Sequence, residues 1–265
     1  MTPLYQNGFL FSSPSSLPLL TYPSFPFSHG FSTRLGGVST DPSLSSLDLG
    51  MGEKDDVDEN RRRFAAAFSL PPKALFFAKQ LHSDKIETVT EEDVGRDFAC
   101  DGFVTDRKGL LLAVKTADCV PILLGDRQAG VIGAVHAGWR GTVKGIVLRA
   151  IDAMEALGAR PERIRVLIGP CIHSCCYEVD DPFFEAVKAS PYASLLTDAV
   201  KPSNVKDGSY YADLTEMNRR LFQSYGVTEE RIATSGFCTC CAPSLFFSHR
   251  ASFGRRGLMM AGIAL

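Results

Sequence analysis

A thiol and two imidazoles stand out as the groups along this chain that could do chemistry together. Cys119 and His136 flank two apolar runs, residues 120–124 and 131–135, with the length and β-branched content of buried strands. The short turn 125–130 between them makes a hairpin the simplest arrangement. Cys119 then opens one strand and His136 closes the next, so both reach the same end of a sheet. The one tryptophan of the chain, Trp139, follows with Arg140 between Gly138 and Gly141. His82 closes a third segment, 76–82, read as a strand ending in Gln-Leu-His. A set of three nitrogen and sulfur ligands with one open position is the pattern of catalytic zinc. Gln80 or Asp84 would orient the His82 ring, and Asp118 would carry a proton to a leaving group.

The same residues support two other readings. Cys119 and His136 could be a metal-free nucleophile and base, or Cys119 could be a small buried residue. Spacing alone leaves the three on comparable terms. Asp118, next to the thiol, is expected to raise its pKa, which weighs against an unassisted nucleophile.

Other chemistries fit poorly. Multicopper oxidation takes about ten histidine ligands, many in His-X-His pairs; this chain has five histidines, none paired that way. The zinc deaminase signature pairs His-X-Glu with Pro-Cys-X-X-Cys. Here Pro170-Cys171 is followed by Ser174 where the second cysteine belongs, and no histidine has a glutamate two residues on. A second zinc or an iron–sulfur site needs four ligands at fixed spacing. Cys238-Thr239-Cys240-Cys241 is crowded for one, so these thiols and Cys171, Cys175 and Cys176 are expected to be buried or adventitiously oxidised.

The elements that must position these groups follow from the pattern. The chain of 265 residues, 45% hydrophobic and 22% charged, has the composition of a globular protein with a sizeable core, and nothing divides it, so a single domain over 1–265 is expected. A net charge of −2 gives no reason to bind nucleic acid or an anionic membrane. No leader-like or membrane-spanning run is present, so eight cysteines point to metal binding, catalysis or burial in the cytoplasm rather than to disulfides. Residues 1–28 read as strand or edge without helix. Arg34 precedes a Gly36-Gly37 turn, which is either a hairpin with an exposed arginine or a backbone open to an anion. Helices are expected over 55–68, 142–157, 181–188 and 213–225, the last with Asp213 and Glu216 spaced as a capping box. Further strands are expected over 101–106 and 110–115, around one turn, and over 164–168 and 232–237.

In combination these motifs resemble the laccase-domain, or polyphenol-oxidase, family, whose YfiH-like members are purine nucleoside phosphorylases. The likeness rests on Gly30-Phe31-Ser32-Thr33-Arg34, Lys79-Gln80-Leu81-His82-Ser83 and Asp101-Gly102-Phe103-Val104-Thr105. It continues through Thr116-Ala117-Asp118-Cys119-Val120-Pro121, His136-Ala137-Gly138-Trp139-Arg140-Gly141, Tyr177-Glu178-Val179 and Phe247-Ser248-His249-Arg250. The resemblance implies an α+β fold, a mixed β-sandwich core with helices on both sides. It implies zinc, with copper the poorer fit, on His82, Cys119 and His136. It also implies phosphorolysis of adenosine, inosine and methylthioadenosine with adenosine deamination alongside, in a monomer or weak dimer. For such substrates Arg34 and Arg140 are the first candidates to hold phosphate, with Arg250 and His249 behind them. Trp139 or Phe31 would stack on the purine, and Tyr177 and Glu178 would shape the pocket.

Overall fold

The structure is a computed structural model that describes residues 5–13, 17–204 and 207–265. Two sheets form its centre. One has seven strands in the order Tyr5–Gln6, Phe9–Ser12, Leu19–Thr21, Ser28–Ser32, Met259–Ala264, Leu111–Thr116 and Leu75–Phe76. The other has six, in the order Ile232–Thr234, Arg165–Ile168, Val120–Asp126, Val131–Ala137, Gly102–Thr105 and Ile86–Thr88. Both mix parallel and antiparallel pairs. A small three-stranded sheet, Glu178–Asp180, Ser209–Ala212 and Val200–Pro202, stands apart.

The alternation of side chains along a strand builds the layers. In the central hairpin Ile122, Leu124, Val131 and Val135 face outward onto helices, packing with Ile146, Val147, Ile151 and Met154 of Ile146–Glu155 and with Met217 and Leu221 of Leu214–Ser224. Their neighbours Leu123, Ile132 and Ala134 turn inward and meet Phe31, Leu112, Val114 and Ile263 of the larger sheet. That sheet buries its other face, including Leu111, Ala113 and Met260, under Phe64 and Ala65 of the helix Lys54–Ala66. The core is therefore a mixed β-sandwich with helices on both sides, as expected from the sequence.

Several local expectations are corrected. The helix expected over 142–157 is two, Trp139–Val143 and Ile146–Glu155, because Gly145 adopts φ 79° between them. Its left-handed backbone turns the chain and seats it beneath the Tyr192 ring, which a β-carbon would strike at 2.5 Å. The two strands expected around one turn are present as Gly102–Thr105 and Leu111–Thr116, but they belong to different sheets and do not pair. The segment leading to His82 is strand only at Leu75–Phe76 and then runs irregularly. The helix Asp181–Lys188 has the expected bounds. Asp213 caps Leu214–Ser224 by accepting from the Glu216 amide, while the Glu216 carboxylate is taken by Arg219 and Arg220. From residue 5 the N-terminal region is strand and loop; residues 1–4 and 14–16 lie outside the described residues.

Candidate functional site

The hairpin does what its pattern implied. Val120–Asp126 and Val131–Ala137 are antiparallel neighbours, with His136 opposite Pro121 and Ala137 opposite Val120. Cys119 and His136 therefore arrive side by side. His82 comes from a loop, at φ 55°, and not from a strand end. The ligand atoms of His82, Cys119 and His136 all lie within 4.8 Å of one another, and the two imidazoles meet edge to face with centroids 4.9 Å apart. Gly138 makes the approach feasible. A β-carbon there would stand 2.7 Å from His82 Nδ1 and 3.4 Å from both Cys119 Sγ and His136 Cε1. Gly141, one turn on, brings its helix against the Ser83 carbonyl, 2.7 Å from where a β-carbon would sit.

One buried carboxylate organises this loop and ligand together. Asp101 Oδ1 accepts from the His82 amide at 3.0 Å and from His136 Nδ1 at 2.9 Å. Its Oδ2 accepts from the amides of Leu81 and Ser83 at 3.1 and 2.7 Å and from Ser83 Oγ at 2.6 Å. An ionised carboxylate only accepts, so it holds the His136 proton on Nδ1 and leaves Nε2 as a lone pair. Burial opposes the charge, but the bonds from His136 and Ser83 outweigh it and bring Asp101 down to about 2. Burial would likewise raise the Cys119 thiol, yet His136 and His82 pull it down to about 6. Burial lowers His136, and Cys119 with Asp101 more than compensate, lifting it to about 9. The two groups thus stabilise each other's charged form, and a bound cation would take the place of the proton that charging puts on His136 Nε2.

The net shift of the thiol is opposite to the one expected from Asp118 alone. This residue sits at φ 95°, a conformation that costs on the order of 1–3 kcal/mol for a non-glycine residue. It is held there by Thr239 Oγ1 and the Arg250 amide, each 2.7 Å from a carboxylate oxygen, and by the Ile172 amide on its carbonyl. Its charge is thus answered away from the thiol. Gln80 and Asp84 do not orient His82 either. Gln80 pairs twice with the Lys115 backbone, which docks the loop on the larger sheet, and Asp84 faces Arg149 at 3.8 Å.

Beside the triad lies a cleft of about 560 Å³ whose wall includes Trp139, Arg140, Tyr177, Glu178, Phe183 and Arg250. The ligands themselves are not in its wall, but Trp139 follows directly on Gly138, where an added β-carbon would meet all three. Tyr177, its hydroxyl pKa raised first by burial and then by the Cys119 charge, closes the other side. Trp139 and Tyr177 both pack on Phe183, at 5.3 and 6.0 Å between centroids. The Arg140 guanidinium lies over the Trp139 ring at 4.2 Å and has no hydrogen bond to protein among the described residues. Arg250 is more committed, donating to the carbonyls of Cys176 and Glu178 at 3.2 and 2.8 Å.

Other sequence candidates are placed elsewhere. Arg34 gives Nε to Ser45, Nη1 to Pro243 and Nη2 to Pro42, all backbone carbonyls, and covers the Phe247 ring at 4.7 Å. It ties three loops and is not in the cleft wall. Phe31 is sandwich core, its ring pressed on Gly169. His249 is absent from the cleft wall too. The residue sequence reasoning missed is Asp101; its only signal was its place at the head of the Asp101-Gly102-Phe103 motif. Of the cysteines expected to be buried or oxidised, Cys171 and Cys238 are buried and Cys175 and Cys241 are exposed, all free thiols, and Cys175, Cys176, Cys238 and Cys241 gather into one cluster.

A mixed β-sandwich carrying a His/Cys/His cluster beside an arginine- and aromatic-lined cleft defines the class. Residues 28–265 match the family described as multi-copper polyphenol oxidoreductase laccase, and the chain belongs to that family. It is 38% identical over 248 residues to the purine nucleoside phosphorylase YlmD of Bacillus subtilis, covering 89% of this chain and 87% of that one. It is 38% identical over 250 residues to a purine nucleoside phosphorylase of Deinococcus radiodurans, covering 94% and 93%. The crystal structure of the hypothetical protein YfiH of Bacillus licheniformis superposes with a TM-score of 0.88 at 35% identity, over 98% of this chain and 99% of that one. No helix among the described residues is long and apolar enough to cross a membrane.

Proposed function

We propose that this chain is a zinc-dependent purine nucleoside phosphorylase that acts on adenosine, inosine and methylthioadenosine and also deaminates adenosine. The observation that carries the reading is the convergence of His82, Cys119 and His136 within 4.8 Å beside a cleft walled by Trp139, Tyr177 and Arg140. The names of the relatives support phosphorolysis over other zinc chemistry.

The donors fit the ion. Two imidazoles and a thiol that already favours its thiolate suit zinc, Asp101 presents the Nε2 lone pair of His136, and Gly138 leaves the room. Multicopper chemistry lacks ligands: both ring nitrogens of His29, for example, are engaged by the backbone of Phe27 and Tyr22. When bound, zinc supplies a Lewis acid that polarises substrate or activates water. The protein's part is binding and orientation. The faces of Trp139 and Tyr177 take the purine. Arg140, whose donors are uncommitted among the described residues, takes phosphate as a fork. Phosphate then replaces the base on the ribose, and the purine leaves with its bonding electrons and gains a proton. Asp118 acts by fixing Cys119 and the Arg250 loop, since both its oxygens are engaged. The cytoplasm suits a chain whose eight cysteines are free thiols.

The test is adenosine turnover and metal content on one purified sample, with phosphate present and withheld. Adenine released only with phosphate, and abolished by removing zinc, is the expected result. Inosine alone would make deamination the main reaction, and a metal-free protein inert to adenosine would overturn the reading. A second reading draws on the neighbouring Cys119 and His136 backed by Asp101, the arrangement of a cysteine hydrolase. Chelators and His82→Ala separate the two, because such a dyad needs neither zinc nor His82.

A further inference from the structure

Outside the triad, four sulfurs from two distant segments meet at one point. Cys175 and Cys176 lie on the turn in which the Cys176 and Tyr177 amides both donate to the His173 carbonyl. Cys238 and Cys241 lie on a second turn, where the Ala242 amide donates to the Cys238 carbonyl. Within Cys238-Thr239-Cys240-Cys241 the outer pair has Cys-X-X-Cys spacing, so the run is not crowded once the inner two residues are set aside. The sulfurs of Cys175, Cys176 and Cys241 form a triangle with sides of 3.7, 3.7 and 3.3 Å, and all four sulfurs lie within 4.8 Å of one another. A tetrahedral ion with zinc–sulfur bonds of about 2.3 Å has sulfur–sulfur edges of about 3.8 Å. Disulfides would pair the sulfurs two by two at about 2.05 Å and give no reason for a triangle. An iron–sulfur cluster sets bridging atoms between its cysteines and spreads them further.

The fourth sulfur is already dressed as a ligand. Cys238 Sγ accepts from the His173 amide at 3.5 Å and from the Cys241 amide, the kind of outer contact that steadies a metal-bound thiolate. As thiolates, four sulfurs this close would repel one another without a divalent cation between them.

We propose that Cys175, Cys176, Cys238 and Cys241 form a second, structural metal site that holds one zinc ion through four sulfurs. The ion clamps the two turns to each other, and both turns serve the cleft. Tyr177 and Glu178 directly follow Cys176, whose carbonyl takes Arg250 Nη1. Thr239, inside the Cys-X-X-Cys turn, donates to Asp118 beside Cys119. The site therefore positions Tyr177, Arg250 and Asp118 and touches no reacting atom.

The experiment is zinc content and X-ray absorption at the zinc edge on the His82→Ala/Cys119→Ser double variant, purified under reducing conditions. It is expected to keep one zinc per chain, with four sulfurs at about 2.3 Å, and to lose it when Cys241→Ser is added. A folded double variant free of zinc, or zinc bound through nitrogen and oxygen, overturns the proposal, as does a Cys176–Cys241 disulfide found by mass in the unmodified protein. The triad reading fails separately: in that case the unmodified chain itself carries a single zinc with four sulfurs.

Discussion

Replacing Asp101 with asparagine tests the organisation of the triad, because the amide keeps the shape of the carboxylate and removes half of its accepting capacity. Five donors converge on the two oxygens of Asp101. If the new NH2 takes the Oδ2 position, it faces the Leu81 and Ser83 amides, and two partly buried donors are left unpaired, at up to about 1–3 kcal/mol each. If it takes the Oδ1 position, only the His82 amide is orphaned, and His136 adapts by moving its proton from Nδ1 to Nε2. The second placement costs less, about 1–3 kcal/mol, and it removes the lone pair that a metal needs. Asp101→Asn is therefore expected to lose modest stability in denaturant unfolding of the metal-free protein. Zinc affinity, measured by competition with a chromophoric chelator, is expected to fall by about 10–100-fold. A variant that binds zinc within about twofold of the parent, well below the usual cost of losing such a partner, would refute the assignment of Asp101 as the group that sets the His136 tautomer.

Gly138→Ala places a methyl 2.7 Å from His82 Nδ1; the ring can swing aside, so the fold should persist by circular dichroism while zinc binding is lost. Arg140→Ala should raise the phosphate KM by about 10–100-fold, the equivalent of about 1.5–3 kcal/mol for charge-assisted hydrogen bonds, without changing the melting temperature. Arg34→Ala should do the reverse, because its guanidinium holds three backbone carbonyls; steady-state kinetics and thermal melting on the same two proteins check both. Asp126 offers a pH test away from the metal. Burial opposes its charge, but the amides of Ala129, Arg160 and Gln128 and the Arg163 side chain hold its pKa below the usual carboxylate value. A group depressed on folding stabilises above its unfolded pKa and ceases to as pH falls through the folded one. Asp126→Asn should therefore flatten the loss of stability between about pH 5 and pH 2 in denaturant unfolding, and an unchanged acid limb would count against it.

The sequence by itself determined the parts of this protein that depend on local pattern. Two short apolar runs, 120–124 and 131–135, around one tight turn pointed to a buried hairpin, and such a hairpin brings Cys119 beside His136. The helix Asp181–Lys188 has the bounds expected from the sequence. Contacts between distant segments lay beyond such reasoning. Asp101 is 35 residues from the histidine it orients, too far apart for local pattern to pair them. Arg34 looked like a free cation beside glycines until the fold folded three carbonyls around it. Cys176 and Cys241 are 65 residues apart, so their cluster emerges only when the turns that carry them pack together. Periodicity reports which face a side chain takes, and only the closed tertiary structure decides which donor meets which acceptor across it.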